Sequence, residues 1–473
     1  MDISAFLSAD KSMVIAPAGY GKTHAIADCI SHYTGNKKIL VLTHTHAGVA
    51  ALREKFDQQN LSASLYSLET ICSFALNLTK VYHLNKDEIP SDSSSLFQFA
   101  IEHGVNILKA KPIRKFLSIK YDHLIVDEYQ DCTIHQHQMI LTLANIMKTH
   151  ILGDPLQGIF GFRGEPIVDF SDASFVPFRD NCQTLETPWR WNNVEKASLG
   201  QDLSSIRSKL LSSTAINLND YQNIKVIIAP ESDYARKGTM YKREIYNALR
   251  NNSVLLIHPI SESIEARIKF IQQFPMLRMV ESIDDKSFYS SCASFDSSIG
   301  YPLIANVVNV MRKIGTKSKI DIWFKETGHL KNKRSDKEQQ IRGHLETIIN
   351  RLLSIKSYSN ILLLIEAIEG LPDVKIYRKD FLQDIYKSLK DAERLGISAT
   401  ESIERNRNLL RQKGRKIQGK CIGTTLLTKG LEFDTVVVLN AHRFTNKRHL
   451  YVALTRCCKQ LIVISNSNIL NPF

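Results

Sequence analysis

Lys22 and Thr23 close the run Ala16-Pro17-Ala18-Gly19-Tyr20-Gly21-Lys22-Thr23, an order suited to holding a polyphosphate. A loop that wraps an anion needs small residues, so that backbone N–H groups can turn inward, and a helix N-terminus behind it. Gly19 and Gly21 give that freedom, Lys22 can reach the terminal phosphates, and the Thr23 hydroxyl can ligate Mg2+. Ala16 stands where the strict pattern has its first glycine. Further along, the apolar Leu124-Ile125-Val126 delivers Asp127 and Glu128 to a strand end. One carboxylate can hold the metal while the other aligns an attacking water. Gln157, in Gly153-Asp154-Pro155-Leu156-Gln157, is placed to touch a terminal phosphate or its water. Arg190, after Trp189, and Arg456, in Ala453-Leu454-Thr455-Arg456, are candidates to neutralise charge on a transferring phosphoryl group. The chemistry these residues add up to is hydrolysis of ATP.

Such groups need a scaffold that brings them to one edge. The first half alternates short β-rich runs with helical patterns: strands over Ser12–Ala16, Lys38–Thr43, His123–Asp127 and His150–Gly153, helices over Lys22–Tyr33 and Ala47–Gln58. This alternation predicts an α/β fold with a parallel sheet whose ligands sit at the carboxyl ends of the strands, where the motifs fall. Leu76 to Tyr121 turns helical around the turn-rich Pro90–Ser95, a small insertion. A second α/β segment begins near Asp180, with a strand at Ser253–His258 and a helix at Glu262–Phe274. Residues from about Pro302 to Gln418 are helical, polar and basic, a second insertion. Strands resume at Cys421–Thr425, Thr435–Asn440 and Gln460–Ser465, with a helix at Arg448–Thr455.

The chain of 473 residues has room for two or three cores. Its 61 basic and 48 acidic residues give +13, which suits a polyanionic partner. Apolar runs such as Thr435–Leu439 are far too short to span a bilayer, and the first residues carry no signal pattern, so a cytoplasmic location away from membranes is expected. The eight cysteines include no pair at CxxC spacing, which favours reduced thiols. His135 and His137 lack a third metal ligand in view and read as surface histidines. The run Arg405, Arg407, Arg411, Lys413, Arg415, Lys416 and Lys420 reads equally as a solvated face or as a nucleic-acid contact.

As an ordered set these motifs resemble the UvrD/Rep-type superfamily 1 DNA helicases, over residues 12–76, 121–192 and 419–466. Gly153–Gln157 with Phe160-Gly161-Phe162-Arg163-Gly164 looks like the family's third motif, Lys429-Gly430-Leu431-Glu432-Phe433-Asp434 like its fifth, and Tyr451–Arg456 like its sixth. The resemblance implies two RecA-like lobes. The first comprises 1–75 and 121–180 and the second 181–300 and 419–473, with helical insertions at 76–120 and 301–418. It implies ATP and Mg2+ as cofactors, single-stranded or partly duplex DNA as partner, and movement 3′ to 5′. Lys22, Asp127, Glu128, Gln157, Arg190 and Arg456 would be catalytic, with Thr23 and Asp127 on the metal. Residues Ala16 to His24, Trp189, Gly430 and Glu432 would surround the nucleotide, with Trp189 on the adenine and Glu432 on the ribose. His44, Phe74, Phe160, Phe162, Arg163 and Thr424 would meet DNA, Phe162 offering the best stacking face. Leu426 stands where a DNA-contacting histidine is common, and no glutamine precedes the phosphate loop to read adenine. The compact layout also resembles the helicase subunit of Gabija-type anti-phage systems. From that comes a second expectation: a nucleotide- and DNA-sensing ATPase that switches a separate nuclease.

Overall fold

The computed structural model describes residues 1–90, 93–160, 165–259, 264–282, 286–413 and 417–473. Two compact units divide the chain: Met1–Ile228 with Lys429–Phe473, and Ala229–Thr428.

The first unit is organised by β1 (Lys11–Ile15), β2 (Lys38–Thr43), β3 (Tyr66–Thr70), β4 (Tyr121–Val126), β5 (Lys148–Gly153) and β6 (Cys182–Thr184). They form a parallel sheet in the order β3-β2-β4-β5-β1-β6. Its central strands are near-continuous Val, Ile and Leu because helices cover both faces, so neither side can be polar. The order is that of a doubly wound sheet, and β1, β4 and β5 end side by side. Ile15 is in register with Gly153, and Asp127 N donates to Leu42 O at 2.8 Å, which fixes the residues leaving all three strands. Helices Ile71–Tyr82, Ser93–Lys109 and Lys111–Lys120 fill the interval before β4, so helix begins earlier than the pattern after Leu76 predicts. Thr70 caps the first of them by accepting from Ser73 N.

Later in the chain come β7 (Ile216–Asn217), β8 (Ile224–Ile228), β9 (Val254–His258), β10 (Arg278–Met279), β11 (Lys420–Thr424), β12 (Phe433–Val438), β13 (Cys457–Ser465) and β14 (Ile469–Leu470). In the first unit β12, β13 and β8 lie side by side, and in the second β10, β11 and β9 do so. The pairings within each trio are parallel. The fold is therefore α/β with parallel strands in both units. β7 and β14 form a small antiparallel pair in the first unit. The strands β3, β6, β8 and β10 have no counterpart in the residue pattern, being short or only partly buried.

The rest of the second unit is helical. Helices Lys286–Ser297, Gly300–Ile314, Asp336–Ser354, Tyr358–Glu369, Lys379–Leu395 and Ala399–Lys413 pack around Phe288, Ile304, Val308, Ile361 and Leu389. Arg407 belongs to this core and not to a solvated basic face: it is fully buried, 2.9 Å from Asp384, with its guanidinium 3.5 Å from the Phe288 ring centroid. Arg405 pairs with Glu401 at 2.6 Å. Arg415 and Lys416 lie outside the described residues, as do the side chains of Arg411 and Lys413. Among the described residues, no helix is long and apolar enough to cross a membrane.

Candidate active site

β1 hands over to the loop Ala16–Gly21 while Ala16 N donates to Gly153 O at 2.9 Å, tying the loop to β5. Gly19 and Gly21 adopt φ of 79° and 83°, the left-handed region in which a side chain is strained. The loop is roofed by the segment that follows β6. A Cβ on Gly21 would sit 2.9 Å from Cδ1 of Trp189, and one on Gly19 would sit 3.0 Å from Cβ of Arg190. Arg190 N donates to Gly19 O at 3.0 Å, and Ala18 N donates to the Tyr451 hydroxyl at 3.2 Å. Gly21 then starts the helix Lys22–His32, with Thr23 half-buried in its first turn and His24 exposed, 3.5 Å from Asp28. Pro17 and Tyr20 are buried in the loop's underside.

Lys22 bridges the two carboxylates at the end of β4, 3.1 Å from Asp127 Oδ1 and bonded to Glu128 Oε1. Glu128 takes φ of 53°, which turns its side chain back toward Lys22. Its other oxygen accepts from Gln130 Nε2, while Gln130 Oε1 accepts from Asp154 N at 3.0 Å. Buried Asp154 accepts from Gln157 Nε2 at 3.1 Å, and Gln157 Oε1 lies 3.5 Å from Arg456 Nη2. Arg456 donates through Nε to Val452 O at 3.0 Å. Arg190 donates to Glu432 Oε1 at 2.5 Å and to Thr455 O. One hydrogen-bonded path therefore runs from Glu128 to Arg456, entirely within the first unit.

The electrostatics follow from burial and charge. Burial works against the Lys22 ammonium, but Asp127 and Glu128 outweigh it and hold its pKa above the ordinary value. Burial pushes Asp127 up against the pull of Lys22. For Glu128 burial is overcome by Lys22 and Lys429, which bring it down to about 2. Burial beside Arg190 lowers Arg456 to about 10.

Asp127 Oδ1 is buried and has no hydrogen-bond partner among the described residues, although Lys22 faces it. A buried carboxylate oxygen that faces a cation but accepts no hydrogen bond fits Mg2+, a hard cation that keeps waters and takes the rest of its shell from phosphate oxygens. No group of three or more His, Cys, Asp or Glu side chains that could hold a metal occurs among the described residues, and Mg2+ does not require one.

The AAA_19 family model, an AAA domain, matches residues 3–163. The RecBCD enzyme subunit RecB of Buchnera aphidicola is 37% identical over 95 residues, 20% of this chain and 8% of that protein. An ATP-dependent helicase/nuclease subunit of Lactococcus lactis subsp. lactis is 33% identical over 114 residues, 24% of this chain and 9% of that one. Over the matched stretch the chain is similar to an AAA domain and to part of a helicase/nuclease subunit. The exonuclease/helicase subunit RexA of Lactococcus lactis subsp. cremoris is 29% identical over 170 residues, 33% of this chain and 13% of the relative. The matches thus span only 8 to 13% of the length of these curated relatives. Among solved structures, the Pif1 helicase of Candida albicans aligns at a TM-score of 0.41 and 11% identity, covering 98% of this chain and 92% of that one.

The remaining expected site residues fall in several places. His44 and Phe160 stack with centroids 6.4 Å apart, and Lys429 Nζ stands 4.7 Å from the Phe160 centroid. Phe74 is 5% exposed in the core of the first unit, among Ile71, Ala75 and Leu78, where no base can reach its face; this corrects its place among DNA contacts. Thr424 ends β11 in the second unit and is 7% exposed. Phe162 and Arg163 lie outside the described residues. Gly430 takes φ of 82° beside Lys429, and Glu432, expected at the ribose, holds Arg190 instead. Trp189 is half-exposed above Gly21. His137 is no surface histidine: it is buried, 2.6 Å from the Tyr129 hydroxyl and 2.8 Å from Ser174 Oγ, while His135 is half-exposed near Glu165 at 3.4 Å. The residue pattern missed Gln130, Asp154 and the buried Lys429–Asp131 pair, because each is a polar side chain whose partner lies far away in sequence.

Proposed function

We propose that the chain is an ATP-driven translocase or helicase on single-stranded DNA, moving 3′ to 5′ in the cytoplasm. The observation that carries this is the Lys22–Asp127–Glu128 cluster joined through Gln130, Asp154 and Gln157 to Arg456. An incoming triphosphate competes with the two carboxylates for Lys22. Drawing the ammonium onto phosphate removes the foremost influence that depresses Glu128, so the carboxylate becomes a better acceptor for a proton of the attacking water. Thr23 and Asp127 are the residues that would hold Mg2+, which neutralises phosphate charge. Gln157 reports the terminal phosphate to Arg456, while Arg190 must leave Glu432 to reach it. Phe160 and His44 give a ring pair beside the site on which DNA bases can act.

The deciding experiment is Lys22→Ala: DNA-stimulated ATP hydrolysis is lost while circular dichroism and melting stay native. Undiminished stimulated hydrolysis in that variant would sink the assignment. Direction is read from strand displacement on duplexes with a 3′ or a 5′ single-stranded tail, where unwinding from the 5′ tail alone would reverse the polarity.

A second reading is favoured by two of the relatives, which are named as an exonuclease/helicase subunit and a helicase/nuclease subunit. In it the chain is a DNA-sensing ATPase that controls a separate nuclease, as in anti-phage defence. ATPase without strand displacement by the purified protein, together with ATP-dependent control of an added cognate nuclease, would select this reading over an autonomous motor.

A further inference from the structure

Arg207 lies in the helix Ala197–Leu211, outside every motif, yet its side chain turns into the site. Its Nη2 is 3.0 Å from Asp154 Oδ1, with the arginine side chain 14% exposed and the aspartate fully buried. Asp154 Oδ2 is the oxygen that accepts from Gln157, which in turn faces Arg456. The same guanidinium packs against the Tyr451 hydroxyl, in a recess lined by Ala18, Leu203 and Thr455 that is too small for a water molecule. That hydroxyl accepts from Ala18 N in the phosphate loop. Arg207 therefore touches both branches of the site: the sensor branch through Asp154, and the phosphate loop through Tyr451.

We propose that Arg207 is a positioning residue for ATP hydrolysis, one that fixes Gln157 against Arg456 through Asp154 and the phosphate loop through Tyr451. The inference rests on the ATPase reading above. A buried carboxylate whose only other partners are neutral donors either takes up a proton or admits water. Either change frees the Gln157 amide to turn, and with it the link to Arg456. An aspartate held by a planar two-armed cation has no such latitude, and lysine replaces only the charge.

The test is steady-state hydrolysis with single-stranded DNA for wild type, Arg207→Met, Arg207→Lys, Gln157→Ala and the Arg207→Met/Gln157→Ala double variant, with melting temperatures alongside. Loss of one charged hydrogen bond in the site predicts that Arg207→Met lowers kcat roughly 10- to 100-fold. KM for ATP stays near wild type, Arg207→Lys recovers part of the loss, and Arg207→Met adds little once Gln157 is gone. Full kcat in Arg207→Met, or losses that multiply in the double variant, would overturn the inference alone. Should Arg207→Met fail to fold, Tyr451→Phe and Arg207→Lys decide: wild-type kcat in both overturns it. A wild-type protein with no DNA-stimulated hydrolysis would overturn the functional reading and this inference together.

Discussion

Lys429 Nζ stands 2.6 Å from Asp131 Oδ1, across a sequence separation of 298 residues. Both side chains are buried, at 6% and 2% exposure, and the lysine also donates to Gln157 O at 2.5 Å. Lys429 is the residue at which the chain re-enters the first unit, so the pair pins that return to the segment following Asp127 and Glu128.

Breaking this pair from one side strands a buried charge. Lys429→Met is expected to cost ~3–5 kcal/mol of stability. The double variant Lys429→Met/Asp131→Leu, which removes both charges, should recover much of it. Urea unfolding midpoints check this, and a double variant less stable than the single one would show that the pair does not act as a unit.

Arg456→Gln should leave nucleotide binding in place and slow hydrolysis by ~10³-fold or more, since the guanidinium acts on charge that develops late. Single-turnover rates beside a nucleotide titration separate the two effects. A change confined to affinity would remove Arg456 from the chemistry.

His44 makes stability depend on pH. Burial, aided by the charge of Lys429, lowers its pKa from 6.5 to about 4. Between those values the unfolded chain binds the proton more readily, so the folded state loses stability as pH falls from 6.5 toward 4. His44→Phe keeps a ring against Phe160 and has no proton to take up. Its melting temperature should therefore fall less than that of wild type over this window, and parallel curves would contradict the assignment.

Gly21→Ala meets two obstacles at once. The left-handed backbone costs an alanine roughly 1–2 kcal/mol, and its methyl would press on Trp189 Cδ1 at 2.9 Å. The expected result is a raised KM for ATP. Adding Trp189→Ala relieves the contact but not the backbone strain, so the double variant should recover only part of the affinity.

The motifs and the strand ends that carry them were legible because each joins a local signal, a buried Val–Ile–Leu run, to a polar residue at its exit. β2 follows its pattern at both ends, Lys38–Thr43. β3 was not legible: Tyr66–Thr70 is a partly buried edge strand without a strong apolar repeat. The path from Glu128 to Arg456 was half legible. Its ends announce themselves by their neighbours, whereas Gln130, Asp154 and Arg207 take meaning only when strands and helices bring them together. Arg407 shows the opposite failure, since its place in a charge run conceals it. Ile403 and Arg407 are four residues apart on one helical face and are both buried, a spacing that foretells a shared environment.

The roof over the phosphate loop makes the protein its own optical probe. Trp191 and Trp323 are 1% and 4% exposed, whereas Trp189 is 52% exposed and lies against Gly21. A nucleotide settling into that loop must alter the surroundings of Trp189 first, so its emission records occupancy without any attached dye.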